Sequence, residues 1–472
     1  MLERIFRLRE NGTTVRTELL AGLTTFLTMS YIIVVQPAVL SGVMFGRPTG
    51  MDFGAVMTAT CVAAALASAI MGLYARYPIA QAPGMGENFF FVFTAIPAAA
   101  AAGAAVPWAT ALGAVFVSGV LFLLLTLVGA REAVMNSISP SMKHAIAAGI
   151  GLFIAFIGLQ NAGLILKDPG TAVKLNPQLG SPDVIVFLAG LFVAAGLHAR
   201  RVRGAILWGI LAGGLVAATL KVALPHIGEA IAGSRVIAES ALMTRFEFAD
   251  RIIAPPPSLA PTLFQMDVRG ALTLAMAPYV TIFLFMVFFD TVGTLVGVAQ
   301  QAGFMRDGRL PRARQAFVSD ATATVAGACL GTSTVTSYIE SATGVEQGGR
   351  TGLTAVTVAV LFLAALLFSP VVEMLGAYAP ITAPALVLVG AMMLRNAAHI
   401  AWDDFTELLP SFLVLVGIPL TFSIADGLAL GFISYPIVKV LGGRKDEVRA
   451  ASWVVAGLLV VYFLMARSAA AV

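Results

Sequence analysis

Apolar runs of about twenty residues recur from residue 19 to residue 467. A run of that length is what a helix needs to cross the hydrocarbon core of a bilayer. Composition agrees: of 472 residues, 59% are hydrophobic and 11% charged, against roughly 25% charged in soluble domains. A soluble chain of this length would suggest about three domains. This one reads instead as an all-α polytopic membrane protein.

Spans are predicted near 19–41, 53–74, 78–97, 107–129, 141–165, 183–199, 204–222, 271–301, 315–331, 332–349, 351–376, 380–395, 408–424 and 427–442. A fifteenth apolar run, 452–467, can cross or lie on the surface. Orientation follows from basic residues in short loops. With the N-terminus in the cytoplasm, Arg4, Arg7, Arg9, Arg16, Arg76, Arg131, Lys143, "HARRVR" (198–203), "RDGRLPRAR" (306–314), Arg350, Arg395 and "KVLGGRKDEVR" (439–449) all fall inside. The outside holds Arg47, Lys167, Lys174 and a long loop, which weighs little in this rule. The charged, amphipathic start and the length of the first span argue against a cleavable signal peptide. The net charge of +4 carries no suggestion of nucleic acid.

Two spans are poor ones: 78–97 and 332–349 are short, glycine-rich and polar. Each is third in its half of the chain, and seven segments separate them. An odd repeat length reverses orientation, so the pattern predicts a 7+7 inverted repeat, and paired interrupted spans point to a transporter's binding site. In "YPIAQAPGMGENFFFVFTAI", Pro78 and Pro83 disfavour helix before residue 84. A helix starting near Gly86 or Glu87 would leave its first-turn amides facing a cavity at mid-membrane. Asn88 stands in that turn, and its amide both donates and accepts. Asn88 could instead only cap the break, and Glu87 could face water, cap the dipole or pair with a basic side chain.

In "TSTVTSYIESATGVEQGG", alternating β-branched and hydroxyl residues predict a short strand that turns helical. Ser337 and Glu340 fit a capping box, the plainest account of Glu340. A carboxylate near the bilayer centre costs about 2.5–3.5 kcal/mol, however, and an amide or hydroxyl would cap for less. Asp290 in "FLFMVFFDTVGTLVGVAQ" follows a long apolar run, with Thr294 one turn later on the same face. Two acids in one dry cavity do not both stay ionised cheaply, which is a basis for proton coupling. Acids and an amide suit a solute rich in N–H donors, and Phe89, Phe90 and Phe289 offer stacking faces. A neutral nucleobase fits; an inorganic anion does not.

Other chemistries find little support. Cys61 and Cys329 sit in apolar surroundings and read as core residues. His144, His198, His226 and His399 show no ligand spacing, so no metal is expected. Asp403-Asp404 reads as a cytoplasmic helix start. No nucleophile or metal set for an intramembrane enzyme is present, so no enzyme is expected.

"AGLTTFLTMSYIIVVQP", "APGMGENFFF", "FFDTVGTLVGVA" and "TSTVTSYIESATGVEQGGRTGLTA" together resemble the AzgA-like purine permeases of the nucleobase–cation symporter-2 group, over nearly the whole chain. The resemblance implies proton-driven uptake of adenine, guanine or hypoxanthine, with no cofactor beyond the coupling proton. It implies fourteen segments in two inverted repeats, with a core domain (19–129 and 271–376) that shifts like an elevator against a gate domain (130–222 and 377–445). Residues 1–18 are then a cytoplasmic segment, 223–270 an extracytoplasmic loop and 446–472 a C-terminal apolar segment. Carried over by motif, the substrate-binding residues are Asp290, Glu340, Asn88 and Gly86. Thr294 joins them from its place on the face of Asp290. Asp290 and Glu340 are the proton-coupling acids. The chain departs from the family where Glu87 replaces a usually apolar residue, commonly Leu. Phe89 replaces an often small one, and Gln36-Pro37 stands for Asn-Pro. Uracil, xanthine or uric acid is the alternative solute. The expected setting is the cell membrane, multi-pass, N-terminus cytoplasmic, among membrane lipids. Related folds often dimerise through the gate, which leaves a homodimer open.

Overall fold

A computed structural model describes residues 2–129, 139–226, 234–302, 304 and 310–468. Arg131 and residues 306–309, used above for orientation, lie outside the described residues.

Helices form where the apolar runs are, and several start at a polar cap. The first span is a broken pair, α1 (Val15–Met29) and α2 (Ile32–Leu40), followed by α3 (Phe53–Ile70). Thr14 and Asp52 cap α1 and α3 by accepting the backbone N–H of Thr17 and Ala55. Strand β1 (Gln81–Pro83) leads into α4 (Met85–Phe90), whose apolar helix runs on to Ala101. Next come α5 (Pro107–Val128), α6 (Pro140–Asn161), the hairpin β2 (Ile165–Asp168) and β3 (Ala172–Leu175), α7 (Pro182–Ala199) and α8 (Ala205–Ala223). Helices α6 and α7 each begin Ser-Pro, with serine accepting from the third residue on and proline filling the first helical position.

The second half repeats the order. It contains α9 (Ala277–Gln301), α10 (Ala313–Leu330), β4 (Val335–Ser337), α11 (Ser341–Glu346), α12 (Gly352–Ala365), α13 (Ala379–Leu394), α14 (Phe405–Thr421) and α15 (Ile424–Leu441). Helix α16 (Ala450–Ser468) follows and packs on α15. Among the described residues, nine helices are long and apolar enough to cross a membrane, and three shorter apolar ones join them. The two remaining positions are α10 and the β4–α11 segment. The two segments read as interrupted are the two that hold β1 and β4.

Packing divides the helices into two groups. In one, α5 lies on α10 and α12 on both α1 and α3; in the other, α6 packs on α13 and α14, α14 on α15, and α7 on α8. Glycine allows the tightest approach: a Cβ on Gly352 would stand 1.8 Å from the carbonyl oxygen of Gly72. Small residues at such crossings let backbones touch where lipid offers no hydrophobic drive.

Between the two halves, β1 and β4 pair antiparallel, with Gln81 opposite Ser337 and Pro83 opposite Val335. Opposed direction is what an inverted repeat requires of its two equivalent segments. Non-helical backbone inside a membrane must be satisfied by protein, and here it is. Gly84 N–H donates to Thr334 O and Tyr338 N–H to Ala80 O, both at 3.0 Å. Side chains complete the pairing. The Ser341 hydroxyl accepts Ala80 N–H and the Ser68 hydroxyl accepts Gln81 N–H, while Thr324 Oγ1 donates to Val335 O. Of these hydroxyls only Ser341 belongs to an interrupted segment; Ser68 and Thr324 are supplied by α3 and α10, which pack against the strands.

Asp404 caps α14, accepting Thr406 N–H at 3.0 Å, as the helix-start reading required. The Thr406 hydroxyl and then Arg444 hold its carboxyl below the ordinary range. Lys439, nearly buried, bridges Glu407 at 3.0 Å and Glu447 at 2.6 Å in the same cluster.

Candidate functional site at the crossing of the two half-segments

Four carboxylates gather around the paired strands. Asp290 lies half-buried on α9, where the Thr336 hydroxyl hydrogen-bonds it. Glu340 is half-buried at the start of α11 and accepts a hydrogen bond from the Tyr31 hydroxyl at 3.0 Å. Glu87 is 3% exposed in the first turn of α4. Asp320, on α10, is fully buried. Glu87, Asp320 and Glu340 each lie within electrostatic range of Asp290. The two expected acids, Asp290 and Glu340, both from the second half of the chain, therefore stand in one region, with Glu87 of the first half beside them.

Two local expectations are corrected. The capping box does not form. Helix α11 begins at Ser341 with Glu340 as its cap residue, while Ser337 ends β4 and turns its hydroxyl to Asp320 Oδ1 at 2.8 Å. Strand pairing to Gln81 claims Ser337 before the helix can. Nor are Phe89 and Phe90 open stacking faces. Both are fully buried, Phe89 against Phe45, Phe93 and Phe153, and Phe90 edge-on to Phe283 at 4.7 Å. Phe289 lies within α9, and its side chain is outside the described residues.

Asn88 is fully buried and fully engaged. Its Nδ2 donates to Gln36 Oε1, while its Oδ1 accepts from Gln36 Nε2 (3.1 Å) and from the Ser333 hydroxyl. Gln36 Nε2 also reaches Thr332 Oγ1 at 2.9 Å. Gln36, noted in the sequence only as a departure, thus ties the first span to both half-segments. Gly86 faces the other helix group: a Cβ there would lie 3.0 Å from Ile150 of α6 and 4.0 Å from Met286, one turn before Asp290. Thr294 is buried on α9 one turn beyond Asp290. An apolar cavity lined by Ile146, Ile282, Met286, Leu428 and Phe432 lies alongside and contains none of the carboxylates.

Asp320 was not singled out in the sequence. It accepts Gln81 Nε2 at 2.6 Å, Ser337 Oγ at 2.8 Å and the Thr291 hydroxyl. One carboxylate thereby binds β1, β4 and the residue next to Asp290. Its signal was available, since it is an acid inside the predicted span 315–331. Tyr31 had no such signal. Thr334, whose carbonyl accepts Gly84 N–H, has a buried hydroxyl without a partner among the described residues. His144 and His399 also come together, with ring centroids 5.1 Å apart, although nothing in their spacing suggested it.

Similarity to known proteins bears on this arrangement. The sequence profile described as Permease family (Xan_ur_permease) matches residues 16–430. The chain belongs to this family. The permease is 41% identical to the guanine/hypoxanthine permease PbuG of Bacillus subtilis, over 98% of this chain and 99% of that protein. It is 40% identical to the adenine permease AdeP of Escherichia coli, over 98% and 95%. The AzgA-like resemblance holds, and these relatives are permeases rather than enzymes. In fold the permease resembles the transmembrane domain of the cyanobacterial bicarbonate transporter BicA (TM-score 0.60, 15% identity, 88% of this chain and 97% of that one). It also resembles the murine anion transporter Slc26a9 (TM-score 0.57, 13% identity, 90% and 68%). The fold is the 7+7 inverted repeat, and the protein is a multi-pass membrane protein.

Proposed function

We propose that this permease imports purine nucleobases (adenine, guanine and hypoxanthine) by proton symport across the cell membrane. The observation that carries the reading is the convergence of Asp290 and Glu340, from two segments of the second repeat, at a crossing where the first repeat presents Asn88 and Gly86 and where Thr294 stands beside Asp290. The relatives named for guanine/hypoxanthine and adenine support the choice of solute. Asp290 and Glu340 hold the N–H groups of the base. Asn88, Thr294 and the backbone near Gly86 meet its acceptor edges, once the base takes over part of the bonding that Gln36 now provides. Asp290 carries the coupling proton: the base binds well to one protonation state, and the proton crosses with it. The core, 19–129 and 271–376, slides against the gate, 130–222 and 377–445. The site lies at their boundary, where Gly86 meets Ile150. The N-terminus is cytoplasmic, and copies pair through the gate.

Uptake of radiolabelled adenine, guanine and hypoxanthine, in cells lacking their own permeases, tests this. Uptake should be saturable and should rise as external pH falls. In Asp290→Asn the pH dependence should vanish; if it survives unchanged, Asp290 is not the carrier. Unlabelled uracil should compete poorly.

A further inference from the structure

Asp320 takes no part in holding the base, yet it is fully buried and joined to Asp290 by hydroxyls. The Thr336 hydroxyl hydrogen-bonds Asp290. Thr336 Oγ1 lies 3.4 Å from Thr291 Oγ1, the longest link, and the Thr291 hydroxyl reaches Asp320 Oδ2. Both threonines are buried, so the chain of hydroxyls runs through protein. The two oxygens of Asp320 are unequally used. Gln81 Nε2 and the Ser337 hydroxyl donate to Oδ1, at 2.6 and 2.8 Å, while among the described residues Oδ2 meets only Thr291. Asp320 is therefore satisfied in either protonation state. Ionised, its Oδ2 accepts from Thr291; neutral, its Oδ2–H donates to the same hydroxyl, which rotates to suit. Glu340 and Glu87 have no such link among the described residues: one holds Tyr31 and the other its own backbone N–H.

Two acids joined in this way share a proton more readily than they hold two charges. No Lys, Arg or His pairs with either among the described residues. Their titratable neighbours are Glu87 on α4, Glu340 and Tyr338 on the β4–α11 segment, and Tyr31 between α1 and α2. Helices α3 and α5, which pack on α10, carry no Asp, Glu, Lys, Arg or His. The base creates the need for a second acid. An ionised Asp290 offers acceptors alone to its N–H groups, whereas a protonated one sets a donor among them. We propose that Asp320 keeps the coupling proton while the base occupies Asp290, receiving it through Thr336 and Thr291. Asp290 gives its proton to Thr336 Oγ1, Thr336 passes its own to Thr291 Oγ1, and Thr291 passes its own to Asp320 Oδ2. Each hydroxyl gains one O–H bond and loses one, so the negative charge moves to Asp290 and no proton leaves the protein. Relays between acids are an established use of intramembrane carboxyl groups. The inference rests on the purine-import reading above, in which Asp290 takes the proton up.

Purified protein in liposomes separates coupling from passage. The two readouts are accumulation of radiolabelled hypoxanthine driven by a pH gradient, and its exchange against unlabelled hypoxanthine with no gradient. Wild type should do both. Thr336→Val and Thr291→Val keep the side-chain shape and remove a hydroxyl. Each should lose accumulation, its plateau falling to the level reached without a gradient, while exchange continues. Thr336→Ser, which restores the hydroxyl, should recover accumulation. A purely structural role would depress both readouts together. Accumulation that survives in either valine variant, or that falls only in step with exchange, overturns the proposal. Wild type supplies a check that needs no variant. Hypoxanthine binding in weakly buffered solution should release no proton, and release matching the bound base would overturn the relay. If wild type exchanges hypoxanthine without accumulating it, proton symport fails and this inference with it. If it moves no purine, the import reading itself fails.

Discussion

Glu340→Gln should lower purine uptake by roughly 30-fold to several thousandfold while the protein still reaches the membrane. Those limits correspond to the 2–5 kcal/mol that truncating one partner of a buried charged hydrogen bond removes. The substitution is nearly isosteric, and Tyr31, the one side-chain donor to Glu340 among the described residues, keeps an acceptor in the glutamine carbonyl. The local structure should therefore hold. What is lost is a second acceptor with full charge, which a donor-rich base needs and a glutamine, with its own N–H₂, opposes. Uptake at saturating and at low concentration separates binding from turnover, and surface labelling confirms insertion. Near-normal uptake by the variant would reduce Glu340 to a residue that only starts α11.

The second large effect belongs to Asp320. In Asp320→Asn one acceptor oxygen becomes a donor among three donors, Gln81 Nε2, Ser337 Oγ and Thr291 Oγ1. Each buried donor left unpaired costs about 1–3 kcal/mol. The strands β1 and β4 and the Asp290 turn should loosen together, so the purified protein should unfold several degrees lower and uptake should fall with it. Adding Thr291→Val removes one of the stranded donors. The double variant should then lose less than the sum of the single losses, the mark of a shared network. Additive losses, or an unfolding midpoint equal to wild type in Asp320→Asn, would contradict this role.

What could be read in advance, and what could not, follows from range. Spans, the interrupted pair and the acids Asp290 and Glu340 announce themselves locally, because a charge or a glycine-rich break inside an apolar run is costly and visible. Asp320 was equally local but sat among small polar residues in "AFVSDATATVAG", where an acid looks less out of place. The same rule that flags Asp290 would have found it. The capping box failed for a different reason: Ser337 had two claims on it, and its partner Gln81 lies 256 residues away. Three-residue strands carry no alternation long enough to predict such a pairing. The Tyr31–Glu340 bond, 309 residues apart in sequence, is equally invisible to any local pattern. Phe89 and Phe90 stand next to Asn88 in sequence, yet successive helical residues point different ways, and both turn into the core.

A density map of the purified permease with guanine bound bears most directly on the whole account. It should show a flat ligand at the crossing of β1 and β4, with ring N–H groups about 2.7–2.9 Å from the carboxylates of both Asp290 and Glu340. Guanine bound at a distance from either carboxylate, or the two side chains turned to separate surfaces, would contradict it.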